Sequence, residues 1–140
     1  MPKDVLSLTR EECWELLRNE EFGRLAFTLD GEAHIVPINY AVDEDRLVFR
    51  TAEGAKLLAV LQGGTVAFEI DDIATEWASS VIVRGTANEL TPEEARWADQ
   101  LRLRPWIRSE KQHVVAITPA EMSGLRFRLH KPWTSMFPQP

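Results

Sequence analysis

Hydrophobic and polar positions alternate in short runs along most of the chain, and turn residues separate the runs. In the segment 24–28, Leu25 and Phe27 share one face. Asp30-Gly31 follows as a tight-hairpin signal, because glycine accepts positive φ without steric cost. The returning segment 33–42 puts Val36, Ile38, Tyr40 and Val42 on one face, and Ile35, Pro37, Asn39 and Ala41 on the other. Pro37 has no N–H to donate, so it implies an edge or a bulge. After a turn at 43–45, residues 46–51 make a third strand, with Leu47 and Phe49 opposed to Val48 and Arg50. A fourth strand at 65–71 turns Val66, Phe68 and Ile70 inward. A fifth covers about 79–90, and its Val81-Ile82-Val83 run predicts a strand covered on both sides. Two more are predicted at 111–118 and 125–130.

Helices interrupt this pattern at three places. Thr9 and Glu12 form a capping box, with Cys13, Leu16 and Leu17 as the apolar stripe and Gly23 beyond the helix end. A short helix at 55–61 lies between Gly54 and Gly63-Gly64. Thr91-Pro92-Glu93-Glu94 opens a third helix running to about Leu101, with proline at its first position. About seven short strands joined by turns, without βαβ alternation, predict a mainly β fold, an antiparallel meander or barrel with peripheral helices.

The length of 140 residues suits a single domain spanning 1–140, and 44% hydrophobic with 27% charged residues is a globular balance. One cysteine excludes an internal disulfide, and Cys13 reads as a small packing residue rather than a nucleophile. The N-terminus shows no secretory signal, and no apolar run approaches the roughly 20 residues of a membrane helix. The cytoplasm is therefore the expected compartment, with no membrane partner. A net charge of −6 argues against nucleic-acid binding while allowing a local phosphate site.

No hydrolase, zinc-protease or P-loop motif is present, and His34, His113 and His130 lack metal-ligand spacing, so no metal site is expected. The informative stretch is Phe49-Arg50-Thr51 followed by Gly54 and Lys56. A guanidinium, a hydroxyl, an ammonium and a helix start suit a phosphate. The plainer alternative is two exposed cations pairing with Glu53 or other carboxylates. Five tryptophans, among them Trp77, Trp106 and Trp133, would stack on an aromatic ligand or fill a core or dimer interface. Ser80 and His113 are each either ligand contacts or locally bonded residues.

Taken in order, several segments resemble the pyridoxamine 5′-phosphate oxidase-like split-barrel superfamily, especially its short bacterial flavin-binding branch. They are Gly23-Arg24-Leu25-Ala26-Phe27, Val36-Pro37-Ile38-Asn39-Tyr40, Phe49-Arg50-Thr51 with Gly54 and Lys56, Ser80-Val81-Ile82-Val83-Arg84-Gly85 and Arg104-Pro105-Trp106. The resemblance implies a six- to seven-stranded antiparallel split barrel. It implies a homodimer with flavin mononucleotide (FMN) in a shared cleft. Arg50, Thr51 and Lys56 would hold the phosphate, and the backbone at Pro37, Ile38 and Asn39 would run beside the ring. Ser80 would reach the cofactor from the next strand, and Trp106 and His113 from the partner. Relatives often carry Trp-Ser where this chain has Ser79-Ser80, and Trp77 is the nearest replacement. The expected function is a flavin-dependent oxidoreductase acting on a small molecule. The alternatives are use of the 8-hydroxy-5-deazaflavin coenzyme, with Arg84, Arg102, Arg104 and Lys111 along its acidic tail, or non-enzymatic flavin or haem binding.

Overall fold

The computed structural model describes residues 4–51, 61, 64–96 and 113–129. Thr9 caps the first helix as its sequence predicts. Its hydroxyl accepts from the Glu12 amide at 3.1 Å, and its own amide donates to the Glu12 carboxylate at 2.9 Å. Helix α1 (Arg10–Asn19) buries Cys13, Trp14 and Leu17. Burial, and secondarily the Glu12 charge, pushes the Cys13 thiol up, away from the reactive thiolate.

Seven strands follow the alternation: β1 (Val5–Ser7), β2 (Phe22–Leu29), β3 (Glu32–Asp43), β4 (Arg46–Thr51), β5 (Gly64–Ile73), β6 (Trp77–Glu89) and β7 (His113–Arg128). All pairings are antiparallel, and they run β2–β3–β4–β7–β6–β5 and back to β2. That closes a barrel and leaves no edge on most strands. β1 is added at the far end of β7, from Val5–Phe127 to Ser7–Leu125. The closure is thin at two seams: β2–β5 joins over three residue pairs and β3–β4 over four.

The hairpin between β2 and β3 is the two-residue turn that Asp30-Gly31 predicts, with φ of 52° and 80°. The predicted inward sets are buried: Val66, Phe68 and Ile70 on β5, Leu47 and Phe49 on β4. Tyr40 meets Phe68 edge to face, ring centres 4.8 Å apart. Its hydroxyl donates to the Leu17 carbonyl at 2.6 Å, and so ties α1 to the barrel wall. Burial, with a smaller contribution from Glu20, pushes this phenol well up, so it stays a donor at any working pH. Tyr40→Phe leaves that carbonyl without its donor and is expected to cost about 1–2 kcal/mol. Chemical denaturation checks this, and an unchanged midpoint would mean that α1 docks by packing alone.

The structure corrects the predicted layout in four places. The strands expected at 111–118 and 125–130 are one continuous strand, β7. β1 was not legible in the pattern. β5 begins at Gly64, expected to be part of a helix stop, and runs on to Ile73, so the connection to β6 shrinks to 74–76. Finally, Val81 and Val83 are buried but Ile82 is 38% exposed, so β6 is covered on one face only by the described residues. The predicted helix at 55–61 lies outside the described residues except for Leu61, which is buried in the core. The helix opened by Thr91 has its capping box and forms α2 (Pro92–Ala95), and its expected course from 97 to 101 is outside the described residues.

Candidate functional site

The site is built where β3 and β4 part. Their pairing runs from Asp43–Arg46 to Tyr40–Phe49 and stops there. Beyond it, Ile38 and Asn39 stay with β2 opposite Gly23 and Phe22, while Arg50 and Thr51 stay with β7 opposite Val114 and His113. The two strands therefore form a fork with Ile38-Asn39 on one prong and Arg50-Thr51 on the other. Pro37 lies on the stretch of β3 whose recorded partner is β2 alone, the edge-like setting expected for it.

Strand alternation sorts the prongs by face. Asn39 and Arg50 lie on the outer face, in line with Val48, whose buried cluster contains Leu90, Val114 and Ala116. Asn39 is buried, and its amide donates to the Glu21 carbonyl at 2.9 Å, which fixes that prong. Arg50 is half-buried with its Nε shielded from solvent. Ile38, Thr51 and His113 continue the inner face past Tyr40, Phe49 and Val115. Arg50 and Thr51 thus leave β4 on opposite sides. A group held by both must sit past the end of the strand. Lys56 and Trp106, expected to contribute, lie outside the described residues.

His113 is not isolated. Its Nδ1 meets a carboxylate oxygen of Glu89 on β6, and both side chains are about one-third exposed, 38% and 32%. Glu89 is a site residue that the sequence pattern does not reveal. The two residues are 24 positions apart, and only the β6–β7 pairing brings them together.

Ser80 is elsewhere. It pairs with Asp71 on β5 and Leu125 on β7, half-buried on the outer face. The β5, β2 and β3 registers extend this row through Phe22 to Asn39, three strand spacings or roughly 14 Å away. Ser80 therefore does not join Arg50 directly within one chain. β6 begins at Trp77, so Trp77 and Ser79 share a face and Ser80 takes the other.

Charge distinguishes the two ends of this row. On the β5 side, Arg24 is held in its charged form by Glu69 at 2.7 Å and Asp71 at 2.9 Å. The Glu20 carboxyl is pushed up by burial, then by Asp72 and Asp71, which marks a local excess of negative charge. That excess disfavours an anion at the β5 end of the row. Among the described residues, no three His, Cys, Asp or Glu side chains converge as a metal site. No helix among them is long and apolar enough to cross a membrane.

Comparison with known proteins bears on the fold and the family. A solved Corynebacterium glutamicum protein is 34% identical, with a TM-score of 0.82 covering 94% of this chain and 99% of that one. The FAD binding protein from Mycobacterium smegmatis is 39% identical, with a TM-score of 0.80 over 89% of this chain and all of that one (100%). An uncharacterized Mycobacterium tuberculosis protein is 34% identical over 133 residues, 89% of this chain and 86% of that protein. The fold is the split barrel of these solved proteins. Residues 9–126 match the profile of the pyridoxamine 5′-phosphate oxidase family, to which this chain belongs.

Proposed function

We propose that this protein binds a flavin nucleotide at the fork between β3 and β4 and uses it for oxidoreduction of a small molecule. The observation that carries the reading is that a guanidinium and a hydroxyl, Arg50 and Thr51, follow one another at the end of β4 where it parts from β3. A guanidinium fork and a hydroxyl match the oxygens of a phosphate monoester, and Lys56 follows five residues later to add a point charge. The ordered backbone of Pro37, Ile38 and Asn39, braced through the Asn39 amide, suits the flat side of the isoalloxazine ring. Bound flavin supplies the hydride and electron chemistry, and the protein's residues bind and orient it.

FMN is the simplest ligand for one phosphate-binding prong. The Mycobacterium smegmatis relative, an FAD binding protein at 39% identity, favours FAD as a second reading, since FAD carries a phosphate at the same ribityl position, there as part of a pyrophosphate. A homodimer is part of the proposal. Ile82, Leu125 and Phe127 leave 36–45% of their surface exposed on the adjacent strands β6 and β7, an apolar face suited to a second copy. Through such a face Ser80, and Trp106 from outside the described residues, would reach a partner's cofactor. The cytoplasm is the compartment proposed.

The test is titration of purified protein with FMN, FAD, riboflavin and the deazaflavin coenzyme, followed by flavin absorbance and fluorescence. Saturable binding of FMN or FAD at least about tenfold tighter than riboflavin is expected from one charge-assisted phosphate contact. Equal affinity for FMN and riboflavin would remove the phosphate site, and preference for deazaflavin would reassign the cofactor.

A further inference from the structure

The contact between Glu89 and His113 is not accounted for by Arg50, Thr51 and Lys56 holding a phosphate. It joins β6 to β7 at the end of β7, and His113 stands directly opposite Thr51 on β4. A carboxylate has only acceptor oxygens, so the imidazole donates its Nδ1–H to Glu89. That fixes the ring's orientation and leaves Nε2 as the atom available to a ligand. Among the described residues, Glu89 on β6 meets the ring, and Arg50 stands one residue from Thr51 on the opposite face of β4. Arg50 and Thr51 form one edge of the proposed anion site, and the ring of His113 lies next to that edge.

We propose that His113 is a further hydrogen-bond donor to the phosphate of the bound flavin nucleotide, within its own protomer, and that Glu89 is the residue that positions it. Held by Glu89 through Nδ1, the ring turns Nε2 toward the phosphate. This rests on the flavin-nucleotide reading above and differs from an approach of His113 from a partner subunit.

The pair has an unusual sign in its favour. A carboxylate near a phosphate repels it, so removing a mere bystander at position 89 would tighten FMN binding. Removing a residue that aims His113 would weaken it. The experiment measures dissociation constants for FMN and riboflavin on the full chain, for wild type, E89A, E89Q, H113A and the double variant H113A/E89A.

E89A is expected to lose about tenfold in FMN affinity, the worth of one charge-assisted hydrogen bond, with riboflavin unchanged. E89Q keeps an acceptor oxygen for Nδ1–H and is expected to hold FMN within about threefold of wild type. In the H113A background the sign should reverse, so the double variant binds FMN as tightly as H113A or more so. Tighter FMN binding by E89A alone, or a parallel loss of riboflavin, would overturn the proposal. If E89A does not fold, H113A decides: an intact preference for FMN over riboflavin overturns the assignment, and a tenfold loss of that preference supports it. Failure of the underlying reading is distinct, because wild type would then show no preference for FMN over riboflavin in the first place.

Discussion

Gly85→Ala is expected to lower the melting temperature by roughly 10 °C, a large loss for the addition of one carbon atom. Gly85 lies on β6 at a shift in its register with β7, where Arg84 pairs with Glu121 and Gly85 with Pro119. A Cβ there would overlap the Thr118 carbonyl oxygen and would stand 2.8 Å from the Thr118 carbonyl carbon and 3.0 Å from Pro119 Cα. These are backbone atoms, so no side chain can rotate away. Relief requires β6 and β7 to separate along the longest pairing in the barrel. Overpacking against backbone costs about 3 kcal/mol, and a chain of this size loses about 3–4 °C per kcal/mol. Thermal unfolding followed by circular dichroism measures it. A drop under about 2 °C would show that this seam yields easily.

The second large effect is on binding. Arg50→Ala is expected to weaken FMN about 10- to 100-fold, the equivalent of 1.5–3 kcal/mol for hydrogen bonds from a charged donor. Riboflavin, with no phosphate, should change by less than about twofold. Val48, two residues earlier on the same face, is buried with Leu90 and Val114, so the strand is held independently of the guanidinium. Arg50→Lys should recover part of the loss, because an ammonium keeps the charge but not the planar fork. Equal loss for both ligands would mean that Arg50 supports the fold rather than the phosphate.

Which features were legible follows from the range of the interactions that cause them. Asp30-Gly31 and the two capping boxes are satisfied within four residues, so their chemistry is written locally. The inward sets of β2, β4 and β5 follow from alternation over one strand. β1 was hidden because three residues make no pattern, and its pairing depends on Leu125 and Phe127 more than a hundred positions away. β7 was split in two because Pro119, Ser123 and Gly124 have the composition of a turn. In the barrel they serve a strand: Pro119 sits at the register shift, and Gly124 gives α1 room, since a Cβ there would lie 2.6 Å from Cys13 Sγ. Of the candidate site, Arg50-Thr51 can be named from its residue types and Asn39 from the resemblance, whereas the bracing of Asn39 by Glu21 and the contact of Glu89 with His113 cannot. The partner of Glu89 is chosen by the sheet and by no spacing along the chain.

The place of β7 in the barrel has a consequence for how the protein is made. This one strand pairs with β1, β4 and β6, and it is the last strand in the described part of the chain. While the ribosome is still delivering it, β4 and β6 each present an unpaired backbone edge, lined by residues as apolar as Phe49, Val81 and Val83. Such edges pair with whatever strand arrives, including those of a neighbouring nascent chain. The barrel's closure is thus a late, long-range event, slow compared with hairpin formation, and the interval before it is when the chain most needs protection from its own copies.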